Sequence, residues 1–345
     1  MNADSKIFVA GGTGMVGAAV IEKLLESGYA NIVTNYYSRR PSETAASRVR
    51  SQRLDLTRQT DVEAFLAQER PEYVFLAAAK VGGILANSTY KADFIYRNMM
   101  IASNVIHAAY ENGTRKLLNL GSSCIFPKLA PQPMKEEYLL TGRLEQTNEP
   151  YAIAKIAAIK LCRYYNEQYG TNFISAMPTN LYGPHDSFDL QNSHVLPAMI
   201  RKFHEAKEAM EKGDRSATVT LWGSGYPFRE FLYTEDLAEA CVFLMERYNA
   251  QDIGEFVNIG TGRDLTIREL AETVRKIVGF RGEVIWDTTK PDGTPRKLLD
   301  VTRITALGWK AKTGLEEGIS KMYAWYRENA GAAVTTPKTE GAGTS

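Results

Sequence analysis

The 345-residue sequence has only three cysteines, Cys124, Cys162 and Cys241, far apart and with no CxxC pair. An odd, scattered set argues against a disulfide framework and a zinc site, and for a reducing compartment. Net charge is also small. Lys and Arg number 41 against 40 Asp and Glu, a balance of +1. No global field then draws in nucleic acid or an acidic membrane, and any anionic ligand must be held by local clusters. No apolar stretch approaches a membrane span, and the run after "MNADSK" is too short for a secretory signal. The expectation is a cytoplasmic protein with no nucleic-acid or membrane partner. What is present is ordinary for a globular chain, with 44% apolar and 23% charged residues. The length allows a large core, as two domains or one large α/β unit.

Short apolar runs alternate with helical patterns through the first half. "KIFVA" ends at glycines and reads as a buried strand, and "MVGAAVIEKLLESG" has helical spacing up to Gly28. "NIVTNYY", "YVFLAAA", "KLLNLGSS" and "FISAMP" read as further strands. Helices are expected over "DVEAFLAQERP", "ADFIYRNMMIASNVIHAAYENG" and residues 150–169. "SRRPSETAASRVRSQR" is polar and without period, so a loop is expected there. Strands apolar on both faces that alternate with helices imply an α/β fold, a doubly wound parallel sheet covered on both sides. After residue 180 the rhythm loosens, although "FVNIG" can return to the sheet and "TIRELAETVRKIVG" is a helix opened by Thr266. The division expected is a Rossmann-type domain over residues 1–180 plus about 230–260, and a smaller α/β substrate domain over 181–229 plus 261–330. The polar, aperiodic tail 331–345 is expected to be disordered.

The glycines in "FVAGGTGMVG" lie between the first strand and the first helix. Gly11 and Gly14 let backbone N–H groups and the helix N-terminus meet a pyrophosphate, and Gly17 lets helix pack on strand. Alone the triplet is weak evidence; in this α/β context it marks a dinucleotide site. The second strand, in "TNYYSRRPSE", lacks the acidic residue that binds a ribose 2′-hydroxyl. Arg39 and Arg40 follow it, and guanidinium groups suit a 2′-phosphate, so NADP is favoured over NAD. Asp55 in "RLDLT" is a candidate for the adenine edge.

A second constellation sits in "NEPYAIAKIAAIKL", where Tyr151 and Lys155 share one helical face and Pro150 suits the first turn. The strand ending in "LGSSCIF" brings Ser122, Ser123 and Cys124 to the carboxyl edge, where ligands bind in such sheets. A free tyrosine has a pKa of about 10. A nearby ammonium and an oxidised nicotinamide would lower it, making Tyr151 a proton shuttle. Lys155 can also hold the nicotinamide ribose, and a serine hydroxyl can steady a carbonyl oxygen. The set suits hydride transfer to a C=O.

These residues together resemble the extended short-chain dehydrogenase/reductases. Longer stretches resemble a branch of that family that converts GDP-4-keto-6-deoxy-D-mannose to GDP-L-fucose, epimerising C3 and C5 and then reducing C4. They include "LAAAKVGGILAN", "LGSSCIFPKLAPQPM", "TNEPYAIAKIAAIKLC", "MPTNLYGPHD", "NSHVLPA", "LWGSGYPFREFL" and "KPDGTPRKLLDVTR", within about residues 5–330. The resemblance implies a reductase triad of Ser122, Tyr151 and Lys155, with Cys124 and His194 as the acid/base pair for epimerisation. Chemistry agrees. C3 and C5 both flank the C4 ketone, so each carbanion is an enolate that the ketone's hydrogen-bond donors stabilise. Inversion needs one residue to take a proton and another, on the opposite face, to give one. A thiol and an imidazole, with pKa values of about 8.5 and 6.5, suit that exchange.

The cofactor contacts expected are Gly11, Thr13, Gly14, Met15, Val16, Gly17, Arg39, Arg40, Asp55, Leu56, Leu120, Gly121, Ser122, Ser123, Tyr151, Lys155, Pro178, Thr179, Asn180, Leu181 and His194. For the GDP-sugar, Lys202, Arg229 and Lys297 are candidates for the phosphates, Trp222 for the base, and Asp292 for a guanine edge or a ribose hydroxyl. No metal site is expected, and His107 reads as a packing residue. The resemblance also implies a homodimer through the helices at 91–112 and 150–169. Residues 38–53 are longer than the branch leads one to expect. Two rivals remain: a related GDP-keto-sugar enzyme that epimerises C5 alone, and a non-catalytic NADP-binding sensor. A dehydratase would place an acidic pair after the serine, and "SSCIF" has none.

Overall fold

The structure, a computed structural model, describes residues 1–38, 40, 48–190, 193–290 and 292–333, with side chains through residue 329. In chain order the first half holds β1 (Ile7–Ala10), α1 (Met15–Glu26), β2 (Ile32–Tyr36), β3 (Arg50–Arg53), α2 (Gln59–Glu69), β4 (Tyr73–Leu76), α3 (Ile84–Thr89), α4 (Lys91–Glu111), β5 (Lys116–Leu120), α5 (Glu149–Tyr169) and β6 (Phe173–Pro178). The second half holds β7 (Asn180–Tyr182), α6 (Val195–Glu211), β8 (Thr218–Trp222), β9 (Phe228–Tyr233), α7 (Thr234–Arg247), α8 (Ala250–Ile253), β10 (Val257–Ile259), β11 (Asp264–Thr266), α9 (Ile267–Val278), β12 (Glu283–Asp287), β13 (Arg296–Lys297), α10 (Thr302–Ala306) and α11 (Leu315–Ala333).

Seven strands pair in parallel in the order β10-β6-β5-β4-β1-β2-β3. Alternate residues of one strand serve two cores, as the two-residue strand period requires. Ile7 and Val9 face the layer of α1 and α7, with Val20, Leu24, Leu237 and Cys241. Phe8 and Ala10 face the layer of α2, α4 and α5, with Phe65, Val105 and Cys162. Each such side chain contributes roughly 1.5–3 kcal/mol on burial, which is why these runs are apolar on both faces. Strand order reverses between β1 and β4, so the crevice for a ligand opens at the carboxyl ends of those strands.

One expectation fails. The polar stretch 38–53 contains β3, which pairs with β2 from Val33↔Arg50 to Tyr36↔Arg53. Its side chains carry no strand signal because β3 is an edge whose stability comes from backbone pairing, and charged edges discourage further strands. Residues 39 and 41–47 lie outside the described residues.

The second half builds another layer. β9 pairs with β7 and β13 in parallel and with β11 antiparallel, while β8 pairs with β12. Helices α6, α9 and α11 bury Leu196, Ile200, Leu270, Val274 and Ile319 against Tyr182 and Tyr233. The start of α9 is a capping box of Thr266 and Glu269, as its sequence suggests. The boundary drawn at residues 229/230 falls inside β9, and Ile304 and Trp309 join the first core. Helix α11 continues to Ala333, so residues 331–333 are helical. The remainder of the tail lies outside the described residues. Among the described residues no helix is long and apolar enough to cross a membrane, and no His/Cys/Asp/Glu group could hold a metal ion.

Candidate active site

The turn after β1 leaves no room for side chains. Gly11 has φ +85°, and a Cβ there would lie 2.9 Å from the Ala78 backbone, while one on Gly17 would lie 2.2 Å from the Gly11 carbonyl oxygen. The loop is held by Asn35, whose Oδ1 accepts from Gly11 N at 2.8 Å and whose Nδ2 donates to Leu54 O at 3.1 Å. At the start of α1 no side chain caps the helix, so the amides of Met15, Val16 and Gly17 have no intrahelical partner. That is a cradle for an anion, and it fits a pyrophosphate. Thr13, Met15 and Val16 stay partly open at this rim.

Further along the edge, a cavity of about 520 Å³ is lined by Tyr37, Arg53, Asp55 and Arg58 among others. Asp55 is only partly free, because its Oδ1 accepts from Thr57 N at 3.0 Å and Thr57 Oγ1 at 2.8 Å. Leu56 and Ser123 are buried. Arg40 is exposed, and Arg39 lies outside the described residues.

Ser122, Tyr151, Lys155 and Cys124 meet where β5 runs out against the first turns of α5. Ser122 lies beside both Tyr151 and Cys124, close enough to pull the pKa of each downward. Lys155 is buried, donates to Leu120 O at 2.7 Å and lies 5.8 Å from the Tyr151 ring centroid. Phe94 packs edge-on against the Tyr151 ring at 6.3 Å. The protein groups around Tyr151 do not by themselves lower its pKa. Burial pushes the phenol above its ordinary value, the Cys124 charge adds to this, and the neighbouring Ser122 opposes it. Burial likewise pushes the Lys155 ammonium down to about 8, against the pull of Cys124.

Burial raises the Cys124 thiol, with Lys297, Ser122 and Lys155 opposing. His194, the N-cap of α6, keeps solvent access and so faces a cleft, but the surrounding protein still penalises its charged form. The nearby charge of Lys297 lowers it further. Lys297 thus lies within electrostatic reach of both Cys124 and His194. On the nicotinamide side, Thr179 N donates to Ile259 O at 3.0 Å and Asn180 Nδ2 donates to Glu230 O at 2.7 Å. Pro178 ends β6, Gly121 N is tied to Ala176 O at 2.9 Å, and Leu181 packs on the first core. His107 packs as expected, its Nδ1 2.7 Å from the Tyr165 hydroxyl.

The substrate candidates continue from Lys297 along one track. Arg229 adjoins Lys297, and its Nη2 reaches Asp292 O at 3.5 Å. Asp292 uses its carboxylate inward, accepting from Ser224 N and Ser224 Oγ, each at 2.7 Å, so its expected role toward a guanine edge or ribose is partly preempted. A Cβ on Gly223 would lie 2.4 Å from Asp292 Oδ1, so Trp222 stands beside this clamp. Lys202 and Lys290 flank the half-exposed Trp222 ring at 5.7 and 5.5 Å, and Lys202 donates to Thr220 O at 2.8 Å. The sequence reading missed Asn35, Glu145 and Glu230. Glu145 pairs with Lys128 at 2.9 Å and acts on Arg229 and Lys297. Buried polar groups of this kind carry no local pattern.

The NAD dependent epimerase/dehydratase family model matches residues 7–260. GDP-L-fucose synthase 1 of Arabidopsis thaliana is 56% identical over 325 residues, 94% of each chain. GDP-L-fucose synthase of Escherichia coli (strain K12) is 53% identical over 330 residues, 94% of this chain and 97% of that one. The chain belongs to the NAD dependent epimerase/dehydratase family, on its GDP-L-fucose synthase branch. A solved relative is a GDP-L-fucose synthetase from Naegleria fowleri bound to NADP, 28% identical, with a TM-score of 0.82 over 97% of this chain and 96% of that one. Within the family's fold, the glycine turn and the Ser122–Tyr151–Lys155 cluster lie on the same sheet edge, and the Trp222-to-Lys297 track leads to them.

Proposed function

We propose that this enzyme uses NADPH to convert GDP-4-keto-6-deoxy-D-mannose to GDP-L-fucose by epimerising C3 and C5 and reducing C4. The observation that carries this reading is the clustering of Ser122 with Tyr151 and Cys124 where β5 meets α5. It puts the donors for a ketone oxygen beside an acid/base group for the neighbouring carbons. Bound NADPH supplies the hydride. Ser122 and Tyr151 donate hydrogen bonds to O4, stabilising the enolate formed when C3 or C5 loses a proton. Cys124 and His194 take and return that proton on opposite faces. In the reduction Tyr151 gives its proton to O4. A phenol raised by burial suits this role, because it stays protonated at neutral pH. Lys155 holds the ribose next to the nicotinamide and anchors α5 through Leu120 O.

Arg229 and Lys297 are assigned to the diphosphate and Trp222 with Lys202 to the base. Both arginine and lysine are charged donors suited to phosphate oxygens. Residues 39 and 40 are assigned to the 2′-phosphate. The division into a cofactor domain and a substrate domain follows the two cores. A homodimer is proposed through α4 and α5, which leave Tyr96, Met99, Ile153 and Tyr164 exposed. A cytoplasmic location fits the three free cysteines, all buried. The test is incubation with NADPH and GDP-4-keto-6-deoxy-D-mannose, with the product identified by NMR. GDP-L-fucose supports the reading; unreacted sugar, or a product inverted at C5 alone, overturns it.

A further inference from the structure

Glu230 is fully buried on β9, next to Arg229, at the seam between the two sheets. Its Oε1 accepts from Thr261 N at 2.6 Å and Gly262 N at 2.7 Å, and its Oε2 accepts from Leu299 N at 3.0 Å. Its backbone carbonyl accepts from Asn180 Nδ2 at 2.7 Å. Among the described residues no Lys or Arg pairs with it, so its carboxylate is held by three backbone amides and the Thr261 hydroxyl, which donates to Oε1 at 3.3 Å. That arrangement requires a carboxylate. Three amide donors converge on two oxygens, and a glutamine would turn an NH2 toward at least one of them. Space is equally constrained, since a Cβ on Gly260 would lie 2.4 Å from Oε1.

The ties end at the site. Leu299 follows Lys297 on the segment that leaves β13, and β13 is a two-residue strand paired with β9 in the register Lys297↔Arg229. So short a strand fixes little by itself. The same segment is also held by Met134 N to Leu298 O at 2.7 Å and by Leu298 N to Gln132 Oε1 at 2.9 Å, both from the loop after Cys124. The Glu230 side chain joins this segment to the 261–262 turn after β10, and its backbone carbonyl takes Asn180 on β7, the strand that pairs with β9 on the cofactor side. We propose that Glu230 is a positioning residue that fixes Lys297 relative to Asn180, so that the diphosphate of the GDP-sugar is held in register with the nicotinamide side of the site. This rests on the reading of Lys297 as a diphosphate ligand.

The experiment is a double-mutant cycle on the full-length enzyme with Glu230→Gln and Lys297→Ala, reading KM for the GDP-keto-sugar, kcat and the NADPH Kd. Glu230→Gln is expected to raise KM about 10-fold or more and to leave the NADPH Kd within about 2-fold. In the Lys297→Ala background the same change is expected to add little, because both act through one contact. If Glu230→Gln does not fold, Glu230→Asp keeps the charge, shortens the reach and is read the same way. Equal losses of NADPH and sugar binding, or full additivity with Lys297→Ala, would overturn the positioning role. If Lys297→Ala alone leaves KM unchanged while the wild type turns over, the diphosphate reading fails, and the proposal with it.

Discussion

The ammonium of Lys155 donates a 2.7 Å hydrogen bond to the carbonyl of Leu120, just before Ser122. This bond ties the first turns of α5 to the end of β5, so that two elements distant in sequence hold Tyr151 beside Ser122. Removing the phenolic hydroxyl should leave that scaffold intact. Tyr151→Phe is expected to slow NADPH oxidation by about 100-fold or more, the usual worth of a general acid, with NADPH binding unchanged. Stopped-flow absorbance would check this, and near-normal oxidation would remove Tyr151 as the proton donor.

The epimerisation should have a two-sided pH dependence. Burial lowers His194 below 6.5 and raises Cys124 above 9.0, so at neutral pH the pair is a neutral imidazole and a neutral thiol holding one proton between them. Proton transfer in either direction needs that single proton. Deuterium uptake at C3 and C5 in D2O should therefore fall on an acid limb displaced below the ordinary imidazole range, where the pair gains a second proton, and on an alkaline limb displaced above the ordinary thiol range, where it loses its only one. Cys124→Ser should abolish the alkaline limb. A flat profile through both regions would contradict the pair.

Cofactor choice is expected to depend on the arginines after β2. Replacing Arg39 and Arg40 with alanine should weaken NADPH binding by about 10-fold or more, as for loss of a charged hydrogen bond, and leave NADH nearly unaffected. Fluorescence titration with each cofactor decides it; equal losses would refute the 2′-phosphate assignment.

A prediction for stability concerns Lys116 at the start of β5. It is buried, and its ammonium donates to Leu244 O at 3.0 Å, to Met245 O at 2.7 Å and to Tyr248 O, closing the C-terminal end of α7. Lys116→Met keeps the apolar stem but strips the donor from three carbonyls. A loss of about 1–3 kcal/mol is expected in denaturant titration. Unchanged stability would show that water replaces the ammonium without cost.

Legibility in the sequence followed the range of the interactions. The glycine turn, the Tyr151/Lys155 spacing and the Thr266 capping box are local, and each stands where its pattern suggested. β3 carries the pattern of a loop because an edge strand of Arg, Ser and Gln is stabilised by β2, not by its own side chains. The upward push of burial on Tyr151 follows from its packed surroundings, where Phe94 meets the ring edge-on, and no spacing encodes that. Glu230 was invisible for the same reason. Its partners Thr261, Gly262 and Leu299 come from far along the chain.

The central claim is that a single grip on O4 serves both proton exchange at the neighbouring carbons and arrival of the hydride. Ser122→Ala tests it most directly, with C3/C5 deuterium exchange and NADPH oxidation measured on the same preparation. The account predicts that both rates fall together by a similar factor. Loss of one with the other intact would contradict it.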